Sequence, residues 1–141
     1  VFERLGYPLV IIGDGPLRNK LQRLASSNVT LLGHQSDDII KQYYQHARTV
    51  IMPNEEDFGL TAIEAMTLGV PVLALARGGA LETVTSGITG EFFQDPIPGS
   101  LANGIRQMRD KIYDVETIKA HAKKFSRERF EEAITKIISE S

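Results

Sequence analysis

Short, mainly apolar runs recur along the chain, and each is followed by a segment with apolar residues at helical spacing. The runs occupy residues 8–13, 29–33, 49–53 and 70–75. An apolar run without polar alternation is typical of a strand buried on both faces of a parallel sheet. Strands that alternate with helices in this way predict an α/β fold, with a doubly wound, mainly parallel sheet and helices on both of its faces.

The segments between these runs predict helices. We expect them at residues 17–26, 36–47, 59–68 and 81–85, followed by an edge strand at 91–93 and by helices at 100–113, 115–124 and 127–139. Residues 1–6 have the pattern of a helix end stopped by Gly6, so we expect the sequence to begin within a secondary-structure element.

Composition narrows the possible functions. The chain has 141 residues, 42% of them hydrophobic, which is enough for one domain with its own core. Its 16 basic and 18 acidic residues create no strongly basic surface, so nucleic acid is not expected as a partner. Cysteine is absent, which excludes disulfides and agrees with a reducing compartment. We expect a cytoplasmic protein, with the inner face of the membrane as the alternative location of the full-length protein.

Three loops follow predicted strands and precede predicted helices, which is where open parallel sheets bind their ligands. They are residues 13–15, 54–59 and 77–79. Phe58, Gly59 and Leu60 lie where a helix begins, so their backbone N–H groups are unpaired and carry the positive end of the helix dipole. A phosphate or diphosphate is the natural ligand of such amides, and glycine permits its close approach.

Two glutamates flank this helix start. Glu56 precedes it, and Glu64 lies one turn beyond Leu60 on the same face. Carboxylates repel phosphates, so their expected partners in a ligand are sugar hydroxyls, which donate hydrogen bonds. The residues alone favour a simpler interpretation, in which Glu64 is a solvated helix residue and Glu56 complements the helix dipole.

The other two loops are less specific. Gly78 and Gly79 form either an anion-binding backbone concavity or an ordinary glycine turn, and the sequence leaves both interpretations open. Gly13 and Gly15 resemble half of a dinucleotide-binding fingerprint. Arg18 replaces the third glycine of that fingerprint, so NAD binding is not supported.

No metal or cofactor is expected from the sequence. His34, His46 and His121 lack the spacing of metal ligands, and no Asp-x-Asp pair occurs. No serine stands in the Gly-x-Ser-x-Gly turn that exposes the nucleophile of many hydrolases.

Together these segments resemble the carboxyl-terminal domain of retaining glycosyltransferases with two Rossmann-like domains, the GT-B fold. This family includes glycogen synthases, sucrose synthases and bacterial mannosyl- and glucosyltransferases. The similarity covers nearly the whole chain, and its motifs occur in family order at residues 13–16, 29–33, 47–53, 56–60, 64–66, 69–72, 78–84 and 87–90. The segment EEDFGLTAIEAMTLGVPV, residues 55–72, is the most specific part because it sets two glutamates, with seven residues between them, inside matching flanks.

The resemblance implies roles for the matching positions, and it favours ligand binding by both glutamates over the simpler interpretation. Glu56 is identified as the catalytic residue and as a contact for hydroxyls of the donor sugar, and Glu64 as the residue that holds the ribose hydroxyls. The backbone amides of Phe58, Gly59 and Leu60 are expected to meet the sugar and the diphosphate. In the first part of the chain, the expected donor contacts are Gln35 and Ser36, against the nucleotide base, and Gly13.

Two features of the family have no counterpart in this sequence. The family's donor-binding domain begins with a central strand and an Arg and Lys pair for the phosphates, and an acceptor-binding domain precedes it. We therefore expect residues 1–141 to be the carboxyl-terminal donor-binding domain of a longer protein, with a Rossmann-like sheet that lacks its first strand. Such a fragment is expected to transfer little or no sugar by itself.

The resemblance also implies partners. They are a nucleotide-diphosphate sugar, an acceptor glycan or lipid-linked sugar of polysaccharide biosynthesis, and the amino-terminal domain. The EEDFG form of the loop favours GDP-mannose over UDP-glucose, and transfer by the full-length protein is expected to retain the sugar's configuration. Exposed apolar side chains in the last helices, among them Phe125, Phe130 and Ile134, are expected to mark the contact with the amino-terminal domain.

Two other functions fit the same sequence. The first is a nucleotide-sugar epimerase of similar architecture, which isomerisation of a sugar without an acceptor would reveal. The second is a non-catalytic sugar-nucleotide-binding module. The lack of the upstream basic pair supports the module, whereas the intact pair of glutamates argues against it.

Overall fold

The computed structural model describes residues 1–140, and the chain divides into two compact units, Val1–Tyr43 and Tyr44–Ser141. The first unit contains α1 (Phe2–Leu5), β1 (Leu9–Ile12), α2 (Arg18–Leu24) and β2 (Val29–Gly33), and α3 (Asp37–His46) crosses the boundary. The second unit contains β3 (Val50–Met52), α4 (Leu60–Thr67), β4 (Val72–Leu75), α5 (Ala80–Thr83), β5 (Gly90–Phe93), α6 (Pro98–Arg109), α7 (Val115–Ala122), a 3₁₀ turn (Lys123–Phe125) and α8 (Arg127–Ser139).

All strand pairs are parallel, which confirms the predicted α/β class. β1 pairs with β2, and the other sheet has the order β3-β4-β5. Each of the two sheets belongs to one of the two units. Because the strands of the second unit run in the same direction, the loops that follow Met52, Leu75 and Phe93 lie at one edge of that sheet.

The first unit is less buried than its sequence predicts. We expect β1 to be covered on both faces, but Val10 and Ile11 are 41% and 37% exposed, so that prediction is wrong. Two strands and the short helices of this unit do not carry enough apolar surface to cover both faces of a sheet. The two strands remain joined at their carboxyl ends, where the Gly13 amide donates to the Gly33 carbonyl over 2.8 Å.

The core of the molecule lies in the second unit. β4 is buried along its whole length, as expected for the central strand of three. α4 packs its small and flexible side chains, Ala62, Ala65 and Met66, against this sheet, and all three are fully buried. β5 is the edge strand that the sequence predicts, and it pairs with β4 from Gly90 onward.

The helices after β5 follow the predicted order with one correction. We expect the first of them to end near residue 113, but α6 ends at Arg109. The chain leaves the helix there so that Lys111 and Tyr113 can turn back to a carboxylate on β5. α7 begins at a local cap, because the Asp114 carboxylate accepts a hydrogen bond from the Thr117 amide at 2.7 Å.

The end of the chain is only partly as expected. Phe125 is half-buried and packs against the core, so the prediction that it is exposed is wrong. Phe130 and Ile134, on α8, are exposed as predicted. Among residues 1–140, no helix is both long enough and apolar enough to cross a lipid bilayer.

Candidate functional site

The start of α4 presents unpaired backbone amides. The chain enters the helix through Gly59, which has the left-handed conformation (φ 74°) and no side-chain cap. The Gly59 carbonyl accepts hydrogen bonds from the Ala62 and Ile63 amides. Within the described residues, the amides of Phe58, Gly59 and Leu60 donate to no other group. These three N–H groups, at the positive end of the helix, can therefore receive an anion.

The loop before α4 is held by the glycine pair that follows β4. The Gly79 amide donates to the Glu56 carbonyl over 2.8 Å. A Cβ atom at Gly79 would lie 2.6 Å from the Asp57 carbonyl oxygen and from the Phe58 carbonyl carbon, so no side chain fits there. Of the two interpretations of Gly78 and Gly79, the structure favours the glycine turn over the anion-binding concavity, because the Gly79 amide already donates to a carbonyl of the protein.

The two glutamates of the predicted site flank these amides on one sheet edge. Glu56 is half-buried, and its Oε1 atom accepts a hydrogen bond from the side-chain nitrogen of Asn54 at 3.2 Å. Glu64 is exposed on the first turns of α4. Neither carboxylate forms an ion pair within residues 1–140. Both therefore keep acceptor capacity for hydroxyl groups of a ligand.

Tyr44 lies near both carboxylates, and the sequence alone gives it only a place on the apolar face of α3. Burial raises the pKa of its hydroxyl, and the charges of Glu64 and Glu56 raise that pKa further. The phenol is therefore protonated at neutral pH and is a hydrogen-bond donor beside the two acceptors. The only sequence signal for a role of Tyr44 in the site is its position before β3, and many buried tyrosines without such a role have a similar position.

The predicted contacts of the first unit sit at the carboxyl ends of β1 and β2. The Gly13 amide is used in its bond to Gly33, so only the lack of a side chain distinguishes this position. Gln35 donates through its side-chain nitrogen to the Leu32 carbonyl at 3.0 Å, which closes the turn after β2. Ser36 is exposed, and its carbonyl accepts from the Ile40 amide at the start of α3.

A second cluster of polar side chains lies at the opposite edge of the sheet in the second unit. Glu91, near the beginning of β5, is 1% exposed although it is charged. It accepts hydrogen bonds from the Ser86 hydroxyl (2.6 Å), the Gly87 amide (3.0 Å), the Gln107 side chain (3.1 Å), the Tyr113 hydroxyl (3.4 Å) and the Lys111 ammonium. All its donors come from the protein, so we interpret this cluster as structural. Within the described residues, no group of His, Asp or Glu side chains has the arrangement of a metal site.

Comparison with known proteins identifies the family. Residues 3–129 match the family described as Glycosyl transferases group 1. An uncharacterized glycosyltransferase of Methanocaldococcus jannaschii, MJ1607, is 32% identical over 130 residues, which cover 88% of this chain and 33% of that protein. The lipopolysaccharide 1,2-N-acetylglucosaminetransferase of Salmonella typhimurium is 38% identical over an alignment of 152 positions, which covers 92% of this chain and 40% of that protein.

Two solved structures share the fold of this chain. HepE from Anabaena in complex with UDP is 26% identical, with a TM-score of 0.73 over 96% of this chain and 41% of that one. The same protein in complex with UDP-glucose matches with 27% identity and a TM-score of 0.68, over 95% of this chain and 41% of that one. The chain thus spans between a third and two fifths of the length of these relatives. Because the family matches most of the sequence, the chain belongs to the glycosyl transferases group 1 family.

Proposed function

We propose that this chain binds a nucleoside diphosphate sugar at the start of α4. The diphosphate lies against the amides of Phe58, Gly59 and Leu60, Glu56 accepts hydrogen bonds from hydroxyls of the sugar, and Glu64 accepts them from the ribose. The observation that carries the proposal is the combination, within the described residues, of three unpaired amides with two nearby carboxylates that form no ion pair. A ligand with both an anionic group and several hydroxyls satisfies all of them at once.

The charges of the site are compatible with such a ligand. Each carboxylate carries a negative charge that opposes a phosphate, so a free phosphate alone is a poor ligand for the whole site. Hydrogen bonds from neutral hydroxyls to a carboxylate are stronger than those between neutral groups, at about 1.5–3 kcal/mol each. The sugar and the ribose therefore supply the attraction that offsets the repulsion between the glutamates and the diphosphate.

We further propose that residues 1–141 form the carboxyl-terminal donor-binding domain of a longer glycosyltransferase. The support is that relatives of the chain are two and a half to three times as long, since the chain covers 33% to 41% of them. In the full-length protein, the acceptor hydroxyl attacks the anomeric carbon on the face from which the diphosphate leaves. The bond from that carbon to the phosphate oxygen breaks, the proton of the acceptor passes to the leaving diphosphate, and the sugar's configuration is retained.

The α4 amides have a direct part in this reaction, because negative charge develops on the diphosphate oxygen as its bond to the sugar breaks. Donors that are already in place stabilise that charge without reorganisation, and removal of one such donor from an enzyme typically costs about 3–4 kcal/mol. Glu56, beside these amides, is the proposed catalytic residue, because its carboxylate can hold the sugar while its anomeric carbon becomes positive.

The proposal extends to the nucleotide base and the sugar of the donor. The form of the loop at residues 55–59 favours GDP-mannose, whereas the HepE structures are complexes with UDP and with UDP-glucose. We propose a hexose donor, with GDP-mannose placed slightly ahead of UDP-glucose. A titration that includes both separates them.

The test is isothermal titration calorimetry of the full-length protein with GDP-mannose, UDP-glucose and ADP-glucose, which measures the Kd of each donor. Glu64→Ala is expected to raise the Kd of the preferred donor by about 10- to 100-fold, since it removes a charged acceptor. Glu55→Ala is the matched control because it removes the same charge from the loop before α4, at a position without a proposed contact to the donor. The proposal fails if none of the three donors binds, or if both variants weaken binding equally. Isomerisation of the sugar without an acceptor would instead indicate an epimerase.

A further inference from the structure

A continuous series of hydrogen bonds connects α7 to the loop that carries Glu56. Nε2 of His121 lies 2.9 Å from the Thr83 carbonyl oxygen. The Thr83 amide and hydroxyl both donate to the Gly79 carbonyl, at 3.1 and 3.0 Å. The Gly79 amide then donates to the Glu56 carbonyl at 2.8 Å. Three separate segments are thereby linked, namely α7, α5 and the loop before α4.

We infer that His121 is a positioning residue for the donor site, which acts through Thr83 and Gly79 on the backbone of Glu56. The inference rests on the proposed function, in which Glu56 and the amides beside it hold the donor. No contact between His121 and the ligand is required.

The ring of His121 is well fixed for this role. A carbonyl oxygen only accepts hydrogen bonds, so Nε2 must carry the proton in the bond to Thr83. The ring also packs against Phe125, with centroids 5.6 Å apart and planes tilted by 53°. α7 itself is anchored in the core by Ile118 and Ala122, which are 0% and 3% exposed.

The segment that His121 contacts is short and partly exposed. α5 is a single turn of four residues, and its Leu81 side chain is 57% exposed. α5 meets the core through Ala80 and Thr83, which are 3% and 1% exposed. A Cβ atom at Gly59 would lie 3.3 Å from the Thr83 hydroxyl oxygen, so this side chain also borders the first amides of α4. Displacement of α5 would therefore move both the Glu56 carbonyl and the wall beside Gly59.

Two substitutions separate the hydrogen bond of His121 from its packing. His121→Phe keeps an aromatic ring against Phe125 and removes the donor, whereas His121→Gln keeps an N–H group at a similar distance from the backbone. In hydrogen–deuterium exchange of the full-length protein, we expect His121→Phe to speed exchange of the Gly79 amide about tenfold. His121→Gln should stay within about twofold of the wild type, and β4 provides the unchanged reference.

Ligand binding provides the second measurement. The Kd of the nucleoside diphosphate is expected to rise about tenfold in His121→Phe and to recover in His121→Gln, while the Kd of the corresponding nucleoside stays constant. Thr83→Val, which removes the hydroxyl bond to Gly79, should speed exchange of the same amide. Thr83→Val therefore keeps the hydrogen-bond series testable if His121→Phe does not fold.

Three results would overturn the inference. They are unchanged exchange at Gly79 in His121→Phe and Thr83→Val, equal effects of the Phe and Gln substitutions, and equal weakening of nucleoside and nucleoside diphosphate binding. If the wild type binds no nucleoside diphosphate, the proposed function fails, while the exchange of Gly79 still decides whether His121 fixes this loop.

Discussion

Replacement of Glu91 by glutamine removes a buried charge around which the beginning of β5 is organised. Glutamine has nearly the same volume as glutamate, but an NH₂ group replaces one of the two acceptor oxygens. This NH₂ group would face the hydrogen-bond donors that surround Glu91. At least one of the five hydrogen bonds to this side chain is then lost, and the Lys111 ammonium loses its counter-charge. The substitution therefore tests the electrostatics of the cluster with little change in packing.

The expected cost follows from the exposure of the two partners. Removal of one member of a fully buried ion pair costs about 3–5 kcal/mol. Glu91 is fully buried, but the Lys111 side chain is 39% exposed and can regain water. We therefore expect Glu91→Gln to lower the free energy of unfolding by about 2–3 kcal/mol, below the range for a fully buried pair. Glu116→Gln is the control, because Glu116 pairs with Lys119 at 3.1 Å while 81% exposed, and about 0.5 kcal/mol or less is expected.

The pH dependence has a defined sign. Burial raises the pKa of Glu91, but hydrogen bonds from Lys111 and Ser86 outweigh it, so the pKa lies below its usual value in the folded protein. The carboxylate thus contributes stability above the unfolded pKa of about 4.3, and this contribution is lost as pH falls through the lower folded pKa.

Urea unfolding followed by circular dichroism, at pH 7 and at steps below pH 4.5, measures both effects. The difference between wild type and Glu91→Gln should be largest at pH 7 and should shrink in acid. The reasoning is refuted if Glu91→Gln costs no more than Glu116→Gln at pH 7, or if the difference does not change with pH.

Two further predictions concern Gly79 and the phenol of Tyr113. Gly79→Ala would bring a methyl group 2.6 Å from the Asp57 carbonyl oxygen, so it should weaken nucleotide binding and lower the free energy of unfolding by about 2 kcal/mol. Gly99→Ala, in α6 with open space around it, should instead stabilise the protein by up to about 1 kcal/mol in the same unfolding and titration measurements. Burial and the charge of Glu91 raise the pKa of Tyr113 to about 12, so stability from this group is present below pH 10 and is lost as pH rises to 12. In a spectrophotometric titration, the Tyr113 phenolate should form last among the four tyrosines, and it should form at lower pH in Glu91→Gln. An unchanged titration in Glu91→Gln would contradict the proposed effect of the Glu91 charge on Tyr113.

The sequence by itself determined the features that depend on neighbouring residues. Residues 127–139 are predicted as a helix and form α8 with the same bounds, because the helical spacing and the Ser126 cap are local. The loop before α4 was predicted as an anion site for the same reason, since a glycine and a helix start adjoin each other in the chain. The proposed roles of Glu56 and Glu64 rest on the family resemblance, because glutamates near helix starts are common in proteins without such sites.

Only the tertiary structure decided features that depend on residues far apart in the sequence. It showed that Gly79 permits two loops to touch, that Tyr44 lies beside both glutamates, and that Glu91 is buried with its partners. Each depends on which segments meet across the sheet, and no pattern of spacing encodes that. The exposure of β1 has the same cause, because an apolar run states only what a strand can bury, whereas the packing of the rest of the chain decides how much of it is covered.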